Sequence, residues 1–372
     1  MNRKKLIAFS LSLAMTVVPV TPAAAGAEQN TEGLQNAVLD LEFENSLEDS
    51  SGKGNNGTLS SGEAEYVDGV VGKGLKMNGS SYVNLGNSTD LQPENLTLSF
   101  WIRPDSDMKG EELLSWNKNE WYTDGWYLSS ENDNTPLTLS VGPAKANGQP
   151  YRVSVSGKRS EFLPTGEWTH IAVTYDKDSK EICFYRNGVK CSTVTTYGIS
   201  GESTGVLGSD ATMEKSIGYN GPKYKGAYLK ASLDEYQLYN DVATPEEVIA
   251  LYEESGQTFD RKAVAQADLD KISIPETTQE NLSLPTTGES GSVISWSSDN
   301  EAVVAADGTV VRPGVGEKDV TVTLTAEASY LNGEKVTKTY KVTVTAKQEI
   351  NITTSSIMGD VTLEDDYLVN AA

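Results

Sequence analysis

Histidine is almost missing from this sequence: His170 is its one histidine in 372 residues, and there are two cysteines, Cys183 and Cys191. A Ser-His-Asp or Cys-His relay could be built only around His170, and two cysteines make neither a disulfide framework nor a zinc site of their own. Basic residues are also scarce, since 30 Lys and Arg stand against 53 Asp and Glu, a net charge of -23. That balance argues against nucleic acid or an anionic membrane as partner, because a phosphate-binding surface must be basic. The one long apolar run, Leu6 to Val20, follows Arg3, Lys4 and Lys5 and precedes the small residues Ala23 to Ala27. This is the pattern of a secretory signal peptide over residues 1–27, too short and wrongly flanked for a stable membrane span. A secreted, extracellular chain with no membrane span is expected.

What is present is β-sequence. Trp168 to Tyr175 is rich in β-branched and aromatic residues, and Ile182 to Cys191 carries Asn187-Gly188 between two apolar runs, the strongest short-range hairpin signal. Further short runs, Val38–Phe43, Gly74–Met77, Tyr82–Leu85, Leu96–Ile102, Gly125–Leu128, Leu137–Val141 and Leu229–Tyr239, are punctuated by turn residues. They predict an antiparallel two-sheet sandwich over residues 36–256. A helix should close it: Thr244-Pro245-Glu246-Glu247 reads as an N-cap, a first-turn proline and a capping glutamate, and Val248, Ile249, Leu251 and Tyr252 form its apolar stripe. The hairpin also bears on the cysteines. A two-residue turn at Asn187-Gly188 sets Cys191 opposite Phe184 and puts Cys183 on the other face, whereas a three-residue loop sets Cys183 opposite Cys191 and permits a disulfide. Both registers are open to the sequence, and export permits the bridge.

The composition shifts after Gly256. Residues 257–347 hold a helical start at Ala263–Leu269 and the strict alternations Val320, Val322, Leu324 and Tyr340, Val342, Val344, which predict a second, smaller β-sandwich. Residues 348–372 read as a linker and the opening of something further. Leu284-Pro-Thr-Thr-Gly288 matches a sortase sorting pattern, but Glu289-Ser-Gly-Ser292 leads into a strand where an apolar span and basic tail should follow.

The words Trp168-Thr-His-Ile-Ala172, Tyr185-Arg-Asn-Gly188, Asn56-Gly57, Leu96-Thr-Leu-Ser-Phe-Trp-Ile102 and Ser232-Leu-Asp-Glu-Tyr-Gln-Leu-Tyr239, taken in order, resemble the laminin-G-like (concanavalin A-like) jelly rolls. Ile294-Ser-Trp-Ser-Ser298 and Gly308-Thr-Val-Val-Arg-Pro313 resemble the atypical immunoglobulin-like domains of exported bacterial glycosidases. The fold class implied is all-β, a jelly-roll sandwich followed by an immunoglobulin-like one. The tail, Asp360-Val-Thr-Leu363 and Tyr367-Leu-Val-Asn-Ala371, is similar to the opening of bacterial β-L-arabinofuranosidases, whose zinc-ligating cysteines and glutamate lie outside this chain.

These resemblances imply the non-catalytic, carbohydrate-binding front of a secreted modular glycoside hydrolase, truncated before its C-terminal catalytic domain. The partner is then a polysaccharide or other glycan. The alternative is a secreted or surface adhesin-like protein that binds a glycoprotein or protein. Structural calcium is implied as well, with Glu44, Asn56 and Asp234 at the family's ligand positions. Aromatic rings stack on sugars, and on that ground Trp116, Trp121, Tyr122, Tyr219 and Tyr224 are the candidate glycan contacts. No catalytic residue is expected. Asp40, Glu42 and Glu44 alternate on the first strand, but they read as a solvated face, and His170 as a packing residue.

Overall fold

The computed structural model describes residues 34, 37–105, 112–118, 125–142, 151–192, 194–197, 214–219, 228–352 and 367–371. The signal-peptide region, Trp121, Tyr122 and Tyr224 therefore lie outside the described residues. Among those described, no helix is long and apolar enough to cross a membrane.

Two eight-stranded antiparallel sheets form the first domain. The centre of the first sheet is Leu96–Pro104, flanked by Thr169–Tyr175 and Lys230–Tyr239. Its placement follows from alternation: Leu96, Leu98, Phe100 and Ile102 enter the core between the sheets, and Ile171, Val173 and Tyr175 do the same on the neighbouring strand. Each fully buried side chain of this size contributes about 1.5–3 kcal/mol. The second sheet runs in the order Val194–Tyr197, Tyr151–Val155, Leu137–Val141, Gly125–Ser130, Glu112–Lys118, Lys215–Ile217, Val83–Gly86, Thr58–Leu59. It presents Trp126, Leu128, Leu137, Leu139, Val141, Val153 and Val155 to the same core.

The hairpin adopts the two-residue turn. Arg186 pairs with Val189, Asn187 and Gly188 have φ of 49° and 79°, and the Cys191 amide donates to the Phe184 carbonyl at 2.8 Å. This corrects the disulfide expectation. Cys183 and Cys191 are both free, with Cys183 packed beside Ala172, Tyr185 and Val248 on the outer face and Cys191 against the inner core. The register that would bridge them demands a third loop residue, and the left-handed Asn-Gly pair closes the turn with two. Burial pushes the Cys191 thiol up to about 12.

The closing helix, Pro245–Glu254, has its capping box: Thr244 Oγ1 accepts from the Glu247 amide at 3.2 Å, and the Glu247 carboxylate accepts from the Thr244 amide at 2.8 Å. Val248 and Ile249 are fully buried beneath it. A second helix, Arg261–Lys271, follows with Asp260 as N-cap.

That second helix belongs to the smaller domain, whose one sheet has the order Thr277–Thr278, Val336–Val344, Val320–Ser329, Val293–Ser298. One end of the sheet packs Ile294, Ala326 and Ala328 against Ala265 and Leu269 of the helix. The other end packs Val322, Leu324, Val342 and Val344 against Leu282 and Val304. The layer facing the sheet is thus a helix and looping chain with isolated bridges such as Val304 to Val310. The words of this domain have structural work. Trp296 Nε1 donates to the Pro285 carbonyl at 2.8 Å, which fixes the sortase-like stretch inside the fold, and Arg312 donates to the Thr345 and Ala346 carbonyls. Residues 348–352 pair in parallel with 367–371.

Candidate functional site

The outer face of the second sheet is built from the residues that alternate with its core set. On Gly125–Ser130 they are Tyr127 and Ser129, on Leu137–Val141 they are Thr138 and Ser140, and on Tyr151–Val155 they are Arg152 and Ser154. Cross-strand partners share a face, so the register lines them up in transverse rows. One row runs Asn84, Ser216, Trp116, Tyr127, Ser140, Arg152. The next runs Ser129, Thr138, Ser154, Thr195.

These side chains are buried although they face away from the core: Tyr127, Ser129, Thr138 and Ser140 each have no exposure. Some are paired, as Thr138 Oγ1 and Ser154 Oγ lie 2.7 Å apart and Arg152 forms an ion pair with Glu131. Among the described residues, the hydroxyls of Ser129 and Ser140 have no hydrogen-bond partner. A buried hydroxyl without a partner costs about 1–3 kcal/mol. Hydroxyls, a phenol ring and an arginine–glutamate pair are the group types that bind polyols, but Tyr127, Ser129, Thr138 and Ser140 have no exposure in the free chain, so a ligand reaches them only if that face opens. Among the described residues of this face no second carboxylate stands beside Glu131.

Of the expected contact residues, Trp116 is in this row. It lies on strand Glu112–Lys118 opposite Tyr127 and Ser216, not in a loop. Tyr219 is elsewhere. Its ring stacks on Tyr228 at 4.4 Å and on Tyr82 at 5.1 Å, and it is 8% exposed, which places it in an aromatic packing cluster. Trp121, Tyr122 and Tyr224 fall outside the described residues. Ser129, Thr138, Ser140, Arg152 and Ser154 were not among the residues singled out from the sequence, and Tyr127, in the strand predicted over Gly125–Leu128, is fully buried. The signal was available in the alternations Trp126-Tyr-Leu-Ser129 and Tyr151-Arg-Val-Ser-Val155.

The calcium positions divide. Asp234 sits at a β-bulge on Lys230–Tyr239, and its Oδ2 accepts from the Val70 and Val71 amides at 2.7 and 3.0 Å. Glu44 reaches the same loop and accepts from the Lys73 amide at 3.2 Å. Burial, opposed by those amides and reinforced by the nearby Glu44 charge, pushes Asp234 up to about 6. Both carboxylates are thus already held by amides of the loop 70–73. Asn56 does not join them, because its side-chain oxygen accepts from the Asp49 amide at 2.8 Å. Asp49 in turn holds the loop together by accepting from the Asp40, Ser51 and Asn55 amides. Among the described residues, no group of three or more His, Cys, Asp or Glu could hold a metal.

His170 is a packing residue. Its Nε2 lies 2.9 Å from Ser99 Oγ, its ring is 5.2 Å from Trp101 and 5.7 Å from Tyr252, and burial lowers its pKa to about 3. The ring is neutral and packed among aromatic side chains.

Comparison with known proteins agrees with this architecture. Residues 77–249 match the family described as the concanavalin A-like lectin/glucanases superfamily, and residues 262–347 match the atrophied bacterial Ig domain. An α-L-arabinofuranosidase of Bifidobacterium longum subsp. longum is 36% identical over 126 residues, covering 27% of this chain and 12% of that protein. The chain thus spans a small part of that curated relative's length. Among solved structures, domain 4 of AbnA, a GH43 extracellular arabinanase from Geobacillus stearothermophilus solved with arabinotriose, is similar at TM-score 0.46 and 22% identity. It covers 59% of this chain and 100% of that one. The binding domain of Paraclostridial Mosquitocidal Protein 1 is similar at TM-score 0.44 and 22% identity, over 59% of this chain and 52% of that one. The chain therefore carries a concanavalin A-like domain followed by an atrophied bacterial immunoglobulin-like domain.

Proposed function

We propose that this chain is the carbohydrate-binding part of an exported, modular glycan-degrading enzyme, and that its jelly roll holds a neutral polysaccharide on the outer face of the second sheet. The observation that carries this reading is the row Trp116, Tyr127, Ser140, Arg152, with the unpartnered hydroxyls of Ser129 and Ser140 on the same face. A ligand hydroxyl that satisfies them recovers a desolvation cost already present in the free protein. The superfamily match supports a lectin-like use of the fold, and the arabinofuranosidase similarity makes an arabinose-containing polymer the first ligand to try. Binding here would raise the local concentration of polymer at a tethered catalytic domain. The tail from residue 348, with its likeness to the start of a β-L-arabinofuranosidase, is where that domain would begin, and residues 1–27 would direct export.

We also propose that calcium ties Glu44 and Asp234 to the loop of residues 69–73, with loop carbonyls completing its oxygen shell. Its role there is structural, to neutralise two adjacent carboxylates at the sheet edge. The binding test is calorimetric titration of the mature chain with a linear arabino-oligosaccharide, repeated with Tyr127→Ala. Binding weakened at least tenfold in the variant supports the assignment, and equal binding by both proteins refutes it.

A further inference from the structure

Where the two domains meet, a cleft of about 520 Å³ opens between the Asn187-Gly188 hairpin and the end of helix Arg261–Lys271. This lies in the size range of small-molecule sites, about 300–1,000 Å³. Arg186 and Lys190 enter it from the jelly roll and Lys271 from the smaller domain, and among the described residues no acidic one lines it. In a chain of net charge -23, three cations on one wall are a local concentration of positive charge, although two of them have carboxylate partners outside the lining.

The three cations are available to a ligand. Arg186 Nε donates to the Phe162 carbonyl at 2.8 Å, and its guanidinium lies 5.7 Å from the centre of the Phe162 ring. These contacts hold the fork in place, while its terminal N–H groups have no partner among the described residues. A fork so held is suited to bidentate recognition of a carboxylate. Lys190 pairs with Glu181 at 3.3 Å and Lys271 with Glu289 at 2.7 Å, both at solvent-exposed positions. Such pairs contribute little and exchange readily for a ligand's charge. Serine hydroxyls from Ser156 and Ser290 line the same space.

The cleft keeps its shape because the domains share a core. Ile249 and Phe259 cluster with Ile294 and Tyr330 of the smaller domain, and Val189 of the hairpin packs on them. At Gly188 an added Cβ would stand 2.8 Å from the Phe259 ring, so the hairpin tip and the interdomain segment are in close contact. Cations from two domains are thereby presented as one fixed set.

We propose that this cleft binds the carboxylate of an acidic sugar, a uronic acid residue of an oligosaccharide, with Arg186 as the carboxylate fork and Lys190 and Lys271 as supporting charges. The choice of a sugar as the carrier of that carboxylate rests on the glycan-binding reading above. The site itself is separate from the sheet face.

The test is calorimetric titration of the mature chain with trigalacturonate, with its carboxyl-reduced neutral counterpart and with inorganic phosphate, on wild type, Arg186→Gln and Lys271→Gln. Lys271→Gln changes an exposed residue, so it reports even if Arg186→Gln disturbs the hairpin. The proposal expects trigalacturonate to bind, the reduced sugar to bind at least tenfold more weakly, and Lys271→Gln to lose at least fivefold. Trigalacturonate binding that is absent, or unchanged in Lys271→Gln, or matched by phosphate, overturns it. A linear arabino-oligosaccharide run alongside separates the two claims. It should bind both variants as well as wild type, and its failure on wild type counts against the sheet-face reading alone.

Discussion

The outer faces of the two jelly-roll sheets are both buried, yet they are paved differently. On the first sheet the outward residues are Trp101, His170, Ala172, Cys183 and Tyr185, and the chain covers them with Val248 and Tyr252 of its own capped helix. On the second sheet they are Tyr127, Ser129, Thr138, Ser140, Arg152 and Ser154, two of them hydroxyls with no partner. The first face is largely apolar and is covered by the chain's own helix, although His170 Nδ1 beneath it has no partner among the described residues. The second face buries hydroxyls that have no partner among the described residues, and under the proposed function a polyol would supply those partners. The difference teaches that burial alone does not separate scaffold from site. What differs is the kind of group left without a partner among the described residues: one ring nitrogen, His170 Nδ1, on the first face, and the hydroxyls of Ser129 and Ser140 on the second.

The largest effect expected from breaking this contrast is on stability. Ile249→Ala removes a fully buried side chain shared with the smaller domain and should cost about 2–5 kcal/mol, read as a lower urea midpoint. Oligosaccharide affinity should remain within twofold of wild type, since the loss falls on the scaffold side. A next-largest effect concerns pH. Burial, aided by Glu42, pushes Asp40 up to about 6. A carboxyl whose folded pKa exceeds its unfolded value destabilises the fold once ionised, so stability is lost as pH rises through about 6 and regained as it falls toward 4. With its partial solvent screening this amounts to about 1–2 kcal/mol. Melting curves at pH 4.5 and 7.5 should show the difference, and Asp40→Asn should reduce it.

Smaller still is the cap. Thr244→Ala deletes the hydroxyl that accepts from the Glu247 amide and should cost about 1 kcal/mol in chemical denaturation, again with affinity unchanged. A loss of affinity in this variant would blur the division between the two faces. Calcium sharpens a different edge. If Glu44 and Asp234 hold an ion, millimolar calcium should raise the melting temperature of wild type and leave that of Asp234→Asn nearly unmoved.

Much of the fold was legible because it is written in local rules. The Asn187-Gly188 pair, the Thr244-Pro245 cap and the alternation of Val320, Val322 and Leu324 each name their element without help from distant residues. The hairpin register was open on sequence because one loop residue more or less moves Cys183 to the other face, and the left-handed backbone at Asn187 and Gly188 decided it. The site was less legible for a physical reason. Isolated aromatics drew attention to Trp121 and Tyr219, whereas the polar row takes a single residue from each of several strands, and only the pairing register aligns them. Arg152 meets Ser140 and Ser140 meets Tyr127 across ladders, and no local word announces that meeting. Tyr151–Val155 went unread as a strand, and with it the arginine of the row.

The central claim is that the unpartnered hydroxyls of the second sheet are kept for a ligand. Its most direct test is the double variant Ser129→Ala, Ser140→Ala, measured for both melting temperature and oligosaccharide affinity. The account predicts a melting temperature equal to or above wild type, because two unsatisfied buried hydroxyls are gone, together with at least a tenfold loss of affinity. A variant that melts lower and binds the oligosaccharide as wild type does would show those hydroxyls to be part of the scaffold, and the account would be contradicted.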